Sequence, residues 1–310
     1  MKDQEPNPGN NPLGLGCWAL GGKGWGGQSE ADAMEVMATA LETGVCHFDT
    51  ARMYGVSEEL VGRFLKGRRS EVFLASKVYP RGDSSFIRAE LEQSLKKLQT
   101  DFIDLYYLHW PVEGWEIADQ VEALVQAKAE GLIGSIGVSN YSVRQLEEAL
   151  KVGPVDYLQI GYHLLWRQAE ESVIPFCLEK GIRVVSYSSL GQGILAGKFP
   201  RSPVFPKGDH RANRVIHFHP DVWPHVYSAV EKLKAIAQSV GQPLSHLALQ
   251  WCAGQAGIDT VLVGARNQKQ MLENAAAFQQ PVDEAVLQEM TAISDAVLPL
   301  LPPGKHIFDL

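Results

Sequence analysis

Short runs of apolar and β-branched residues alternate with amphipathic stripes along almost the whole chain. No other feature limits the fold so strongly. Residues 45–49, 72–77, 102–108, 133–138, 155–160, 182–187 and 260–263 read as strands. Residues 13–20 form a weaker first strand, interrupted by Gly14 and Gly16. Strands that are apolar almost without a break are buried on both faces, as in a parallel sheet. Between them, apolar residues recur at helical spacing: Ala33, Val36, Met37, Ala40 and Leu41; then Ile87, Leu91, Leu95 and Leu98; then Val173, Ile174, Cys177 and Leu178. Ser29 with Asp32 and Ser142 with Gln145 have the spacing of helix N-caps, and Gly153-Pro154 and Gly181 mark helix ends. Eight strands, most followed by a helix, predict one (β/α)8 TIM barrel. A doubly wound sheet uses the same βαβ unit and is the alternative.

Domain organisation follows from the same reading. Residues 1–12 are a short polar tail without the apolar core of a secretory leader, and 13–310 form the barrel. Residues 1–12 are too few and too polar to build a hairpin that plugs the barrel bottom, so such a hairpin is expected to be missing or truncated. The longest irregular stretch is 198–224, carrying Pro200, Pro203, Pro206 and Pro220; a loop of that length predicts a lid. An extra helix is expected near the C-terminus.

A net charge of -8 excludes the basic face of a nucleic-acid binder. No apolar run reaches the roughly 18 residues of a membrane helix. Cys17, Cys46, Cys177 and Cys252 are scattered without a Cys-x-x-Cys pair, which fits reduced thiols in the cytoplasm. Oligomeric state is not readable.

Some motifs mislead. Gly22-Lys23-Gly24-Trp25-Gly26-Gly27 has the spacing of a dinucleotide fingerprint, but no convincing strand feeds it and Ser29 caps the next helix only after it ends. Gly14-Leu15-Gly16-Cys17-Trp18-Ala19 matches only a looser form. Gly191-Gln192-Gly193-Ile194-Leu195-Ala196 does follow a strand, but Gly197-Lys198-Phe199-Pro200 cannot continue as the required helix. His210, His217, His219 and His225 cluster with Asp209 and Asp221, but their irregular spacing favours a polar loop over a metal site. No metal is expected.

Four polar residues fall where consecutive strands end. Asp49 closes the second strand and Tyr54 follows it; Lys77 closes the third and His109 the fourth. Active sites of TIM barrels lie at these ends. A buried Lys beside a buried Asp is costly unless the two pair. A phenol beside Lys77 would have its pKa lowered by the cation, suiting it to general acid–base work. A structural ion pair is the plainer reading of Asp49 and Lys77.

The words around these residues are Phe48-Asp49-Thr50-Ala51-x-x-Tyr54-Gly55, Ala75-Ser76-Lys77 and Leu108-His109-Trp110-Pro111. Downstream come Gly137-Val138-Ser139-Asn140, Ser186-Tyr187-Ser188-Ser189-Leu190-Gly191 and Gly264-Ala265-Arg266-Asn267. Together they resemble the aldo-keto reductase superfamily over nearly the whole chain. The resemblance implies reduction of an aldehyde or ketone with NADPH (reversibly, alcohol oxidation with NADP+). Asp49, Tyr54, Lys77 and His109 would be the catalytic tetrad, with Tyr54 as proton donor. It also implies that Ser139, Asn140 and Gln159 hold the nicotinamide carboxamide and that Tyr187 stacks on the ring. Ser188, Leu190, Gln192 and Lys198 would approach the pyrophosphate. Gly264, Arg266, Gln270 and Asn274 would surround the adenosine end. Gly16, Cys17 and Trp18 would touch cofactor, and Asp49 as well. Trp18 and Trp110, with Tyr54 and His109, would line the pocket of a small carbonyl substrate. Two other readings stay open: a cofactor-binding regulatory subunit, and a lyase using Lys77 as a Schiff base, which pairing with Asp49 would disfavour.

Overall fold

The alternation closes on itself. Eight parallel strands hydrogen-bond in chain order, β1 through β8, and the last returns to the first. In the computed structural model, which describes residues 11–22 and 29–302, they are β1 Leu13–Gly16, β2 His47–Asp49, β3 Phe73–Val78, β4 Ile103–Leu108, β5 Ile133–Ser139, β6 Tyr157–Gly161, β7 Arg183–Tyr187 and β8 Ile258–Val263. The α-helices are α1 Glu30–Glu42, α2 Ser57–Phe64, α3 Ser84–Leu98, α4 Ile117–Ala129, α5 Val143–Leu150, α6 Val173–Lys180, α7 Arg211–Arg214, α8 Trp223–Ser239, α9 Leu244–Ala253, α10 Gln268–Ala275 and α11 Glu284–Val297. Because β1 pairs with both β2 and β8, the sheet has no edge, and the doubly wound alternative falls.

The strands are apolar throughout because each buries two faces. Outward-facing Leu74, Tyr106, Ile136, Val138, Val184 and Val261 share one core with helix residues such as Val36, Leu91 and Val121. Inward-facing Ala75, Leu105, Tyr107, Tyr157, Val185 and Leu262 form a second core inside the barrel. Gly137 belongs to that inner row because a Cβ there would stand 2.2 Å from the Tyr107 ring.

Local signals meet the structure closely. Ser29 accepts from the Asp32 N–H, and Ser142 with Gln145 makes both arms of a capping box. Gly181 ends α6 in a left-handed conformation, φ 70°. Helix α5 stops at Leu150, short of Gly153-Pro154.

Three expectations need correction. The first strand stops at Gly16, and Ala19–Gly21 is a 3₁₀ turn. Residues 11 and 12 belong to the barrel rather than to a tail: Asn11 Oδ1 accepts from the Leu13 N–H at 3.0 Å, and the Pro12 carbonyl accepts from the Val261 N–H at 2.7 Å. The hairpin question and most of Gly22-Lys23-Gly24-Trp25-Gly26-Gly27 lie outside the described residues. The stretch 198–224 is not irregular throughout. It holds α7, a 3₁₀ turn at Ile216–Phe218 and the start of α8. Phe199, Phe205, Phe218 and Trp223 knot it together, Phe205 and Phe218 with ring centroids 4.7 Å apart. Helix α11, the extra C-terminal helix, packs on α8. No described helix is long and apolar enough to cross a membrane.

Candidate active site

Register decides which side chains meet. Gly16 pairs with Asp49, Asp49 with Ala75, and Lys77 with Tyr107, so Asp49 and Lys77 fall on the same inward row at the C-terminal end. Ser139 pairs with Gln159, and Gly161 with Tyr187. The expected tetrad is brought together. Lys77 Nζ donates to Asp49 Oδ1 at 2.5 Å and to the Thr50 carbonyl at 2.9 Å. It also lies 5.0 Å from the Tyr54 ring centroid. The Tyr54 hydroxyl is 3.5 Å from His109 Nε2. Gln159 Nε2 donates to the other oxygen of Asp49 at 2.8 Å, so that carboxylate is satisfied on both sides.

The electrostatics differ from expectation at Tyr54. Its pKa lies well above the ordinary value, because burial and then the Asp49 charge outweigh the nearby ammonium. The expectation of a phenol lowered by Lys77 is therefore not met. Burial also pulls Lys77 down, opposed by Asp49. His109 falls well below 6.5 through burial first and the Lys77 charge second, so its imidazole is neutral near pH 7. Lys77 is fully enclosed and both its acceptors are in place, which leaves no approach for a Schiff-base carbonyl.

A polar chain links the tetrad to the next strands. The Tyr187 hydroxyl donates to Asn140 Oδ1 at 2.7 Å, and Asn140 Nδ2 donates to the His109 carbonyl at 3.1 Å and to Ser139 Oγ at 2.9 Å. Asn140, Ser188 and Gln192 hold positive φ, at 63°, 55° and 57°. Left-handed non-glycine residues are costly and concentrate at functional sites.

All of this opens into one cavity of about 1300 Å³. Its walls include Gly16, Trp18, Asp49, Tyr54, His109, Trp110, Ser139, Asn140, Gln159, Tyr187, Ser188, Leu190, Gln192, Lys198, Gly264, Arg266, Gln270 and Asn274. Of the residues expected to touch cofactor or substrate, Cys17 alone is absent from the lining; its thiol is buried and donates to the Leu15 carbonyl. Arg266 precedes the cap Asn267 and the helix start at Gln268, and its N–H donates to Gln270 Oε1 at 2.9 Å. Lys269 does not line the cavity.

The sequence reading missed other wall residues, among them Met53, Tyr79, Arg81, Ser189, Phe199, His210 and Arg214. His210 packs on Trp18 at 4.8 Å, and Trp18 on Tyr54 at 6.0 Å. Nothing in the pattern marks a contact between Trp18 and His210, 192 residues apart. Only the proximity of Tyr79 and Arg81 to Lys77 was a usable signal. The clustered histidines scatter in space: His210 Nε2 contacts Gln192, His217 Nε2 the buried Leu165 carbonyl, and His225 is exposed. Among the described residues no group of three or more His, Cys, Asp or Glu is placed to hold a metal.

Fold and site define a class: a (β/α)8 oxidoreductase acting on carbonyl groups. Residues 12–295 match the model of the Aldo/keto reductase family, and the chain belongs to that family. It is 37% identical over 273 residues to the aldo-keto reductase YhdN of Bacillus subtilis, covering 84% of this chain and 82% of that protein. It is 32% identical over 312 residues to an NADH-specific methylglyoxal reductase of Escherichia coli, covering 92% and 95%. Among solved structures it resembles an aldo/keto reductase from Klebsiella pneumoniae in complex with NADP and acetate, with TM-score 0.73, 26% identity and coverage of 96% and 95%.

Proposed function

We propose that this chain reduces the carbonyl of an aldehyde or ketone with NADPH, with Tyr54 giving the proton. The observation that carries the reading is the meeting of the Tyr54 hydroxyl, His109 Nε2 and the Lys77–Asp49 pair at the wall of one large cavity.

The residues present fit a dinucleotide. Gly16 and Gly264 leave the mouth open where β1 and β8 end. The left-handed backbone at Ser188, Gly191, Gln192 and Gly193 gives the close approach a pyrophosphate needs. Tyr187 offers an aromatic face, and Ser139, Asn140 and Gln159 offer groups that can hold a carboxamide. The nicotinamide, when bound, supplies the hydride.

This chain's own residues then divide the remaining work. The ring N–H of neutral His109 is intrinsically a much weaker acid than a phenol, and it suits orienting a carbonyl oxygen. Lys77 is engaged by Asp49 and Thr50. That leaves Tyr54 as the proton source. A raised phenol pKa does not forbid this, because a carbonyl oxygen receiving hydride becomes more basic than a phenolate. The Lys77 ammonium stabilises the phenolate that remains. The proton and charge move inside a buried site, where fixed charges act strongly.

Cofactor preference rests on Arg266 at the adenosine end. A guanidinium at a helix start can grip a 2′-phosphate bidentately. The Escherichia coli relative is named NADH-specific, so preference is measured rather than inherited. The test is consumption of NADPH and NADH, side by side, over aldehydes, ketones and sugars. Cofactor binding without turnover on any carbonyl would sink the reading and favour a regulatory cofactor-binding subunit.

A further inference from the structure

Carboxylates and cations in the cavity wall do not balance. Asp49 pairs with Lys77 at 2.5 Å, Asp209 with Arg211 at 2.6 Å, and Glu273 lies 3.9 Å from Lys198. Arg81 and Arg214 also line the cavity, and neither has a carboxylate within ion-pair distance among the described residues.

Arg81 is exposed, but its backbone is pinned on both sides. The Gln120 side chain, 1% exposed on α4, donates to the Pro80 carbonyl at 2.9 Å and to the Gly82 carbonyl at 3.2 Å. The Arg81 N–H donates to the Tyr79 carbonyl at 2.9 Å, and its guanidinium lies 4.7 Å over the Tyr79 ring. Gly82 packs so tightly that a Cβ would stand 2.4 Å from Phe86 Cβ. The nearest acid in sequence, Asp83, turns away: its Oδ1 accepts from Ser85 Oγ at 2.6 Å and the Phe86 N–H at 3.1 Å. This platform leaves the barrel directly from β3, four residues beyond Lys77. A planar guanidinium held on an aromatic face is suited to bidentate capture of an oxyanion.

We propose that Arg81 selects substrates carrying an oxyanion group, carboxylate or phosphate, at the end away from the reacting carbonyl. The proposal rests on the carbonyl-reductase reading, which names the reaction but not the substrate class.

A matched set tests it: para-formylbenzoate, its methyl ester and para-formylphenyl phosphate, reduced by wild type, Arg81→Gln and Arg81→Lys. Wild-type kcat/KM for the carboxylate should exceed that for the ester by about 10- to 100-fold, the scale of a charged hydrogen bond. Arg81→Gln should bring that ratio close to unity, chiefly through KM, and Arg81→Lys should restore part of it. A larger preference for the phosphate would assign the site to phosphate esters. Equal wild-type efficiency for acid and ester would overturn the proposal and leave carbonyl reduction intact. If no carbonyl is turned over, quenching of Trp18 and Trp110 fluorescence still decides the question: binding of para-formylbenzoate over its ester must be lost in Arg81→Gln.

Discussion

The two ends of the barrel interior are built from the same inward rows and have opposite characters. At the bottom, His47 meets Phe73 edge-on and Phe73 meets Tyr157 at a tilt, with ring centroids 5.0 Å and 6.1 Å apart. Arg183 closes the row by donating to the Tyr157 hydroxyl at 2.7 Å. Two to four residues further along those strands stand Asp49, Lys77, Gln159 and Tyr187. The bottom keeps its buried imidazole uncharged and leaves charge to Arg183 at the rim: burial holds His47 down to about 4, so its ring is neutral. The top buries a full ion pair, pins it with Thr50 and Gln159, and turns it toward a cavity. Packing alone can fill a barrel. Retained buried charge and left-handed backbone set the candidate site apart from the packed end.

The sharpest break of this contrast is Tyr54→Phe, which removes one proton and keeps the ring. Turnover should fall by about 10² to 10⁴. Thermal stability should barely change, since the hydroxyl's contact with His109 Nε2 is long at 3.5 Å. Near wild-type turnover would remove Tyr54 as the donor. The ion pair is tested next by Lys77→Met. Leaving Asp49 buried without its cation should cost about 3–5 kcal/mol of stability, read by denaturant unfolding. A neutral result would mean that Gln159 and solvent suffice for the carboxylate.

The rim of the mouth carries a smaller effect. Arg266→Ala should weaken NADPH binding by about 1.5–3 kcal/mol and NADH binding far less. Fluorescence titration of both cofactors into both proteins measures this, and equal losses would show that Arg266 does not read the 2′-phosphate. The smallest effect belongs to the bottom. A histidine held neutral in the fold binds its proton more readily when unfolded. Its contribution is therefore complete above the ordinary value of 6.5 and is lost as pH falls toward about 4. His47→Phe should flatten the pH dependence of unfolding in that window by at most about 1.4 kcal/mol per pH unit. An unchanged slope would place the titration elsewhere, with His217, also held near 4 by burial, the next group to replace.

The strand–helix repeat, most helix caps and the placement of Asp49, Lys77 and His109 at strand ends were legible because they are local; the catalytic roles came only from the family resemblance. A capping box spans four residues, and a strand-end position follows from a period of two. Tyr54 shows where that stops. Its neighbours were named correctly, but the direction of its pKa was not, because proximity to Lys77 is readable and depth is not. Arg81 was passed over for a related reason: its significance lies in Gln120, thirty-nine residues away on α4, which holds the turn around it. The prolines of 198–224 likewise hid α7 and the aromatic knot.

By itself the sequence determined the repeat of strand and helix, the two-faced burial that makes the sheet parallel, and the residues facing inward at each strand end. These follow from side-chain periodicity and turn chemistry, which act over a few residues. Only the tertiary structure decided the rest. It set the register that seats Asp49 beside Lys77, the burial that raises Tyr54 and neutralises His109, and the packing of His210 on Trp18. Those outcomes depend on desolvation and on distances between segments far apart in the chain, and both exist only once the barrel has closed.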